Sequence, residues 1–303
     1  MKDTYTLNNL RDWRGRTREI DSPVRLGVLG DPIEHSLSPQ MQSAALEAHQ
    51  IDARYARFHI AEQELIEALQ LIRDLDFLGL NLTVPHKIAA ISVVDSMDEM
   101  ARAIGAINTI QIADGKLAGF NTDADGFVRA VRETFSVDVR DLRVLLLGAG
   151  GAARAIAYAC GLEKCERLVI VARDVAKAQS LAQELIPRFR DARVLGPVAR
   201  LESAPWDENS LRHQLANSDM VVNATPLGLA PRDGSPIPSR LIAPHLIVYD
   251  TVYRHDTTPL VRAAEEAGAR AADGRAMLLH QGARAFEIWF GRNAPLEMMR
   301  AAL

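Results

Sequence analysis

The chain has 303 residues, 48% of them hydrophobic, 24% charged and only 5% aromatic, a balance that fits a globular protein and excludes disordered, collagen-like and disulfide-scaffold classes. Its 35 basic and 39 acidic side chains leave a formal charge of -4, so no overall positive field exists to hold a nucleic acid or an anionic membrane, and a small-molecule partner is expected. Cys160 and Cys165 are too few for a disulfide framework or a four-ligand metal site and are expected to be reduced and buried. The start, Met1-Lys2-Asp3-Thr4-Tyr5, carries no apolar signal region, and the longest apolar stretch, Val144 to Leu162, is broken by four glycines and Arg154. Neither a leader nor a membrane span is expected, and a cytoplasmic location follows.

Residues 1–22 are polar and arginine-rich, with Leu7, Leu10 and Trp13 spaced as one helical stripe, so they are expected to form an appended arm that packs by its apolar edge. Leu26 to Leu29 reads as the first strand, ended by Gly30-Asp31-Pro32. A helix is then expected from Ser38-Pro39, with Ser38 as N-cap and Pro39 at the first helical position. A second strand and helix run from Tyr55 to Leu75, Phe77 to Val84 is the next strand, and Pro85 opens a helix carrying Lys87. Polar turns near Asn108 and Asn121 follow, the second leading into a helix from about Gly126. From Leu142 the chain changes to a Val/Leu run, a glycine turn and a helix, with further strands at Leu168 to Val171, Met220 to Asn223 and Leu246 to Tyr249, and terminal helices from about Met277. Such alternation predicts an α/β fold built on mainly parallel sheets.

Val144 to Leu147 runs straight into Gly148-Ala149-Gly150-Gly151-Ala152-Ala153. The pattern G-x-G-x-x-A thus lies between a buried strand and a helix, the context that dinucleotide binding requires. Gly148 would make the tight turn, Gly150 would let backbone N–H groups reach a pyrophosphate, and Ala153 would let helix and sheet pack closely. The next strand ends Val171-Ala172-Arg173-Asp174 and offers two signatures. Asp174 could accept the ribose hydroxyls of NAD, whereas Arg173 could pair with the 2′-phosphate of NADP; the bland reading is a solvated Arg–Asp pair. NADP is preferred.

Two polar residues do not suit a scaffold. Lys87 falls in the first turn of its helix, where the dipole disfavours a cation and makes its proton easier to release. Asp123 stands at the start of another helix, where capping alone would account for it. Were the two adjacent, they would form a coupled pair able to donate and recover one proton. Asn121, Asp123, Asp125 and Gly126 imitate a calcium loop, but its twelfth position is Arg132 instead of the bidentate glutamate. No metal is implied.

These stretches together resemble the shikimate dehydrogenase family, from Leu26 to the C-terminus. The motifs are Gly30-Asp31-Pro32-Ile33-Glu34-His35-Ser36-Leu37-Ser38-Pro39, Asn81 to Lys87, Gly105-Ala106-Ile107-Asn108-Thr109 and Gly119-Phe120-Asn121-Thr122-Asp123, then Gly148 to Ala152, Asn223 to Gly228, Asp250-Thr251-Val252-Tyr253, and Gln281. The resemblance implies an N-terminal substrate domain (1–123, completed by 275–303), a Rossmann-type dinucleotide domain (124–274) and a site in the cleft between them. It implies Lys87 and Asp123 as catalytic pair, with Ser36, Ser38, Thr83, Lys87, Asn108, Asp123, Tyr253 and Gln281 holding shikimate or 3-dehydroshikimate. Gly148, Ala149, Gly150, Gly151, Ala152, Arg173, Asp174, Thr225, Leu227 and Gly274 would hold the cofactor. The reaction implied is reversible NADP-dependent reduction of 3-dehydroshikimate to shikimate, by a monomer or homodimer.

Two departures from the family pattern stand out. Met41-Gln42-Ser43-Ala44 replaces the usual Met-His-Asn-Ala, and Ala172-Arg173-Asp174 replaces the Asn-Arg-Thr common among NADP enzymes, so NAD use stays open. The alternatives are a quinate/shikimate dehydrogenase using NAD, against which Ser38 argues because quinate-active relatives often carry threonine there, and a non-catalytic NAD(P)-binding regulator, which would need no proton donor.

Overall fold

Strands buried on both faces must be apolar at nearly every position, and the short Val/Leu runs of this chain form such strands. The structure, a computed structural model, describes residues 4–17, 22–189 and 200–303. It divides into two units, Met1–Gly126 together with Leu278–Leu303, and Phe127–Met277.

The first unit holds β1 (Thr4–Thr6), β2 (Val24–Gly30), β3 (Arg54–His59), β4 (Gly79–Leu82), β5 (Ser96–Met97), β6 (Thr109–Ala113) and β7 (Lys116–Phe120) in the order β1-β3-β2-β4-β6-β7-β5. Strands β1 to β4 pair in parallel, β6 runs antiparallel to β4 and β7, and β5 is parallel to β7. Both β2 and β4 end where candidate polar residues begin. The loop after Gly30 carries Ser36 and Ser38, and the segment after Leu82 carries Thr83 and Lys87. Carboxyl ends of parallel strands are where α/β sheets present their ligand groups.

Residues 1–22 prove to be more than an appended stripe. Thr4–Thr6 adds a parallel edge strand to β3, from Thr4 opposite Arg57 to Thr6 opposite His59. Leu7, Leu10 and Trp13, on the short helices Leu7–Arg11 and Trp13–Thr17, are buried in the core of the unit. Tyr5, Trp13, Phe58 and Phe77 form one aromatic cluster with ring centroids 5.0 to 5.7 Å apart. The rest of the arm, 1–3 and 18–21, lies outside the described residues.

Other expectations are corrected locally. The helix Ser38–Ala48 takes Leu37 as N-cap, so Ser38 is its first residue and Pro39 its second. The helix expected near Gly126 begins at Asp123. The stretch between the two polar turns is the hairpin β6–β7, whose tip Asp114-Gly115 has both φ positive, 50 and 68. An Asp-Gly pair between apolar runs is the sequence signal for such a turn.

The second unit holds β8 (Arg143–Leu147), β9 (Arg167–Ala172), β10 (Leu201–Pro205), β11 (Met220–Asn223), β12 (Ile247–Asp250) and β13 (Arg270–Ala272), all parallel, in the order β10-β9-β8-β11-β12-β13. Counted from β8 this is the order 3-2-1-4-5-6 of dinucleotide-binding sheets. The sequence did not reveal β10 and β13, the two edges; both are short and half-buried, so they lack the continuous apolar run of central strands. Cys160 and Cys165 are free and buried. Among the described residues no helix is long and apolar enough to cross a membrane.

Candidate active site

The residues singled out by sequence fall into two groups, one in each unit. In the first, Lys87 lies on the single-turn helix His86–Ala89, too short for the dipole argument to apply; the ammonium is held by a carboxylate. Lys87 Nζ donates to Asp123 Oδ2 at 2.6 Å, with side chains only 14% and 4% exposed. A charge-assisted bond so short and so little hydrated fixes both groups. Asp123 is the first residue of the helix Asp123–Phe135, where the exposed N–H groups favour its negative charge. Its own N–H donates to Asn121 Oδ1 at 3.0 Å, and Asn121 is anchored in turn on Ala106 O.

The second oxygen of Asp123 is also engaged. Asn108 Nδ2 donates to Asp123 Oδ1 at 2.9 Å and to Gln281 Oε1 at 3.2 Å. The orientation of this amide is dictated by Thr122, whose backbone N–H donates to Asn108 Oδ1 at 2.8 Å and cannot be reversed. Gln281, on the helix Arg275–Phe290, donates through Nε2 to Leu278 O. Lys87, Asp123, Asn108 and Gln281 thus form one chain of hydrogen bonds. A supporting layer was not legible in the sequence as such: Tyr55 donates its hydroxyl to Asn81 Oδ1 at 2.8 Å, and Asn81 Nδ2 reaches Asn108 O and Thr109 Oγ1. Neighbouring His86 is fully buried, donates Nε2–H to Ile60 O, and has its pKa pushed down by that burial. The neutral ring adds no second charge beside Lys87.

Ser36, Ser38 and Thr83 stand outside this chain of bonds. Ser36 Oγ accepts the N–H of Ser38 at 3.3 Å, a local turn that leads through the N-cap Leu37 into the helix, and neither serine side chain caps it. Thr83 continues β4, its N–H on Leu29 O at 2.9 Å, and the residue is half-buried.

In the second unit Gly148 has φ 119, and a Cβ there would lie 2.9 Å from Ala224 O; an L side chain fits neither demand. Gly150 precedes the helix Gly151–Leu162, no side chain caps that helix, and a Cβ on Gly150 would meet nothing within 4 Å. Open space above uncapped N–H groups suits a pyrophosphate. Ala149 completes the turn, and Gly151 and Ala152 are the first two residues of the helix.

Beyond β9 both Arg173 and Asp174 are exposed, yet they do not pair. Asp174 Oδ1 accepts the backbone N–H of Lys177 at 3.2 Å, capping the helix Val175–Phe189, and Oδ2 lies 3.9 Å from Lys177 Nζ. Lys177 was not singled out in the sequence, although its i+3 spacing from a capping aspartate is a readable signal. Arg173 is left without an ionic partner among the described residues.

Thr225 donates its N–H and hydroxyl to Asn223 Oδ1 and accepts the N–H of Leu227, while Asn223 Nδ2 donates to Leu227 O and to Asp250 Oδ1. The loop over the carboxyl end of β11 is therefore shaped from within, and its root is Asp250. That side chain, fully buried, accepts from Asn223, Thr258 and the Val252 N–H. Burial raises its pKa to about 6 despite those donors. Tyr253 is half-buried in the segment after β12, and Gly274 N–H donates to Val252 O just before the last long helix.

Family models match along much of the chain. They describe a shikimate dehydrogenase substrate binding domain over residues 28–110, a shikimate / quinate 5-dehydrogenase over 129–226 and a shikimate 5′-dehydrogenase C-terminal domain over 274–303. A shikimate dehydrogenase (NADP(+)) of Methanopyrus kandleri is 40% identical over 92% of this chain and 94% of its own. The enzyme of that name from Symbiobacterium thermophilum is 42% identical over 91% and 92%. Among solved structures, the shikimate 5-dehydrogenase of Thermus thermophilus in complex with NADP(H) and shikimate is 34% identical, covers 92% of this chain and 98% of its own, and superposes with a TM-score of 0.77.

Proposed function

The chain belongs to the shikimate dehydrogenase family, and on that premise we propose that it catalyses the reversible NADP-dependent reduction of 3-dehydroshikimate to shikimate, through Lys87 and Asp123. The observation that carries the residue assignment is the shielded 2.6 Å contact between Lys87 Nζ and Asp123 Oδ2, with Asn108 on the other carboxylate oxygen. The first unit takes the substrate and Phe127–Met277 the dinucleotide.

NADP, when bound, supplies or accepts the hydride. Gly148 to Ala152 would receive its pyrophosphate and Arg173 its 2′-phosphate, with Thr225, Leu227 and Gly274 shaping the nearby loops. Asp174 caps its helix and stands 3.9 Å from Lys177 Nζ, and its exposed carboxylate weakens the attraction of Arg173 for that phosphate without cancelling it. Lys87 protonates the oxygen that develops at C3 and takes the proton back in the oxidative direction, and its charge stabilises that oxygen in the transition state. Asp123 keeps the ammonium aimed and, with Asn108, Gln281 and Thr83, meets the ring hydroxyls. Ser36 and Ser38 present hydroxyls to the substrate carboxylate, and Tyr253 contributes its phenol. On this reading the enzyme works in the cytoplasm as a monomer or homodimer.

The test is the initial rate of shikimate oxidation with NADP and with NAD, beside quinate. Activity on shikimate with NADP is expected, and Lys87→Ala is expected to lower kcat by roughly 10² to 10⁴-fold with little change in NADP affinity. A variant with near-normal kcat would remove Lys87 from the chemistry.

A further inference from the structure

Arg57 and His59 lie on one face at the end of β3, on either side of the fully buried Phe58. That alternation aims both polar side chains away from the aromatic core. What they meet is the loop between β2 and the helix Ser38–Ala48. Arg57 Nε and Nη2 both donate to Ser36 O, at 3.1 and 2.7 Å, and Nη2 also reaches Gln40 Oε1 at 3.3 Å on the following helix. His59 places Nε2 3.0 Å from Asp31 Oδ1 and Nδ1 3.2 Å from Glu34 Oε1. The loop is thereby tied to the sheet at its start, its middle and the serine itself.

The grip on Ser36 has two unusual features. A guanidinium fork spends two donors on one carbonyl, which fixes the peptide plane leading into Leu37 and hence the direction in which the Ser36 and Ser38 side chains emerge. Arg57 also makes no ion pair among the described residues, so its charge is held on the carbonyl of the residue that carries the first of the two hydroxyls. Serine hydroxyls alone bind a carboxylate weakly in water; a fixed cation behind them strengthens that recognition.

We infer that Arg57 is a positioning and specificity-determining residue for the acid group of the substrate, acting through the Ser36 carbonyl and through its own unpaired charge. This rests on the assignment of Ser36 and Ser38 to the substrate carboxylate, and the experiment separates the two ideas. Steady-state kinetics are measured for the wild type, Arg57→Ala, Arg57→Lys, Ser36→Ala/Ser38→Ala and the triple variant, with shikimate and with its methyl ester, which lacks the charge. Arg57→Ala is expected to raise KM for shikimate roughly tenfold, with kcat and KM for NADP within about threefold of the wild type. Arg57→Lys, which keeps the charge but not the fork, should recover part of the loss. In the double-serine background Arg57→Ala should add little, because neighbours that act together are not additive. The methyl ester should respond weakly to every substitution.

If the double-serine variant raises KM and Arg57→Ala does not, Arg57 has no such role and the serine assignment stands. If neither raises it, the serine assignment fails and the inference with it. Should Arg57→Ala weaken NADP and shikimate alike and lower the melting temperature, or should the methyl ester suffer as much as shikimate, Arg57 merely supports the fold.

Discussion

Asp250 offers a test of the physical reasoning that does not depend on catalysis. It is fully buried at the end of β12, and burial lifts its pKa from 3.8 to about 6. Because the folded value lies above the unfolded one, the folded state holds the proton more tightly. The associated stability is fully present below pH 3.8 and is lost as pH rises through 6. A shift of about two units, at about 1.4 kcal/mol each, amounts to roughly 3 kcal/mol between pH 4 and pH 7. Asp250→Asn removes the titration and leaves the site nearly satisfied. The amide oxygen can accept from Asn223 and Val252, while the amide nitrogen faces Thr258 Oγ1, a hydroxyl that can turn from donor to acceptor. The assay is urea unfolding of both proteins from pH 4 to pH 8, and the quantity is their difference in unfolding free energy at each pH. The wild type should lose stability relative to the variant as pH rises, by about 3 kcal/mol overall. A difference that is flat, or that moves in favour of the wild type with rising pH, would refute the assignment of the raised value to burial.

The cofactor site and the N-terminal segment yield three further expectations. Gly150→Ala should leave the melting temperature nearly unchanged, since its extended backbone suits any residue and the new Cβ meets no protein atom, while NADPH binding followed by fluorescence weakens at least about tenfold, roughly 1.4 kcal/mol; unaltered affinity would mean that the pyrophosphate lies elsewhere. Asp174→Thr keeps a capping oxygen on its helix and removes the carboxylate, so the ratio of kcat/KM for NADP over NAD should rise about tenfold without loss of stability; an unchanged ratio would show that Asp174 is already neutralised by Lys177. Trp13→Ala should cost about 3 to 5 kcal/mol of unfolding free energy, because the indole packs on Tyr5, Phe58 and Phe77; a loss below about 1 kcal/mol in denaturant unfolding would return residues 4–17 to the status of an appendage.

Wherever a local pattern is sufficient cause, the sequence determined the outcome by itself. Four apolar residues followed by Gly148-Ala149-Gly150 can hardly be anything but a buried strand entering a helix, because the positive φ of Gly148 is a demand that glycine meets, while the bare Gly150 leaves open space over the helix start. The family, and with it the reaction, was legible for the same reason: its motifs are short runs whose chemistry is contained in consecutive residues. The apolar stripe of the N-terminal arm was legible, but the strand Thr4–Thr6 was not, because a three-residue edge strand has no periodicity of its own and exists only by pairing with β3. Ser38 was expected as N-cap and Leu37 takes that place, because a cap depends on dihedral angles one residue either way. The dipole argument for Lys87 failed on a helix of one turn, and what replaced it, Asp123 at 2.6 Å across 36 residues of sequence, is a distance that no spacing rule contains. Asn108 and Gln281 are 173 residues apart, and Arg57 reaches Ser36 only because β2 and β3 are neighbours. Sequence determines which groups a chain owns and how each segment folds locally; which groups share a proton, a charge or a carbonyl is decided when non-local strands pair, since these interactions act over ångströms and not along the chain.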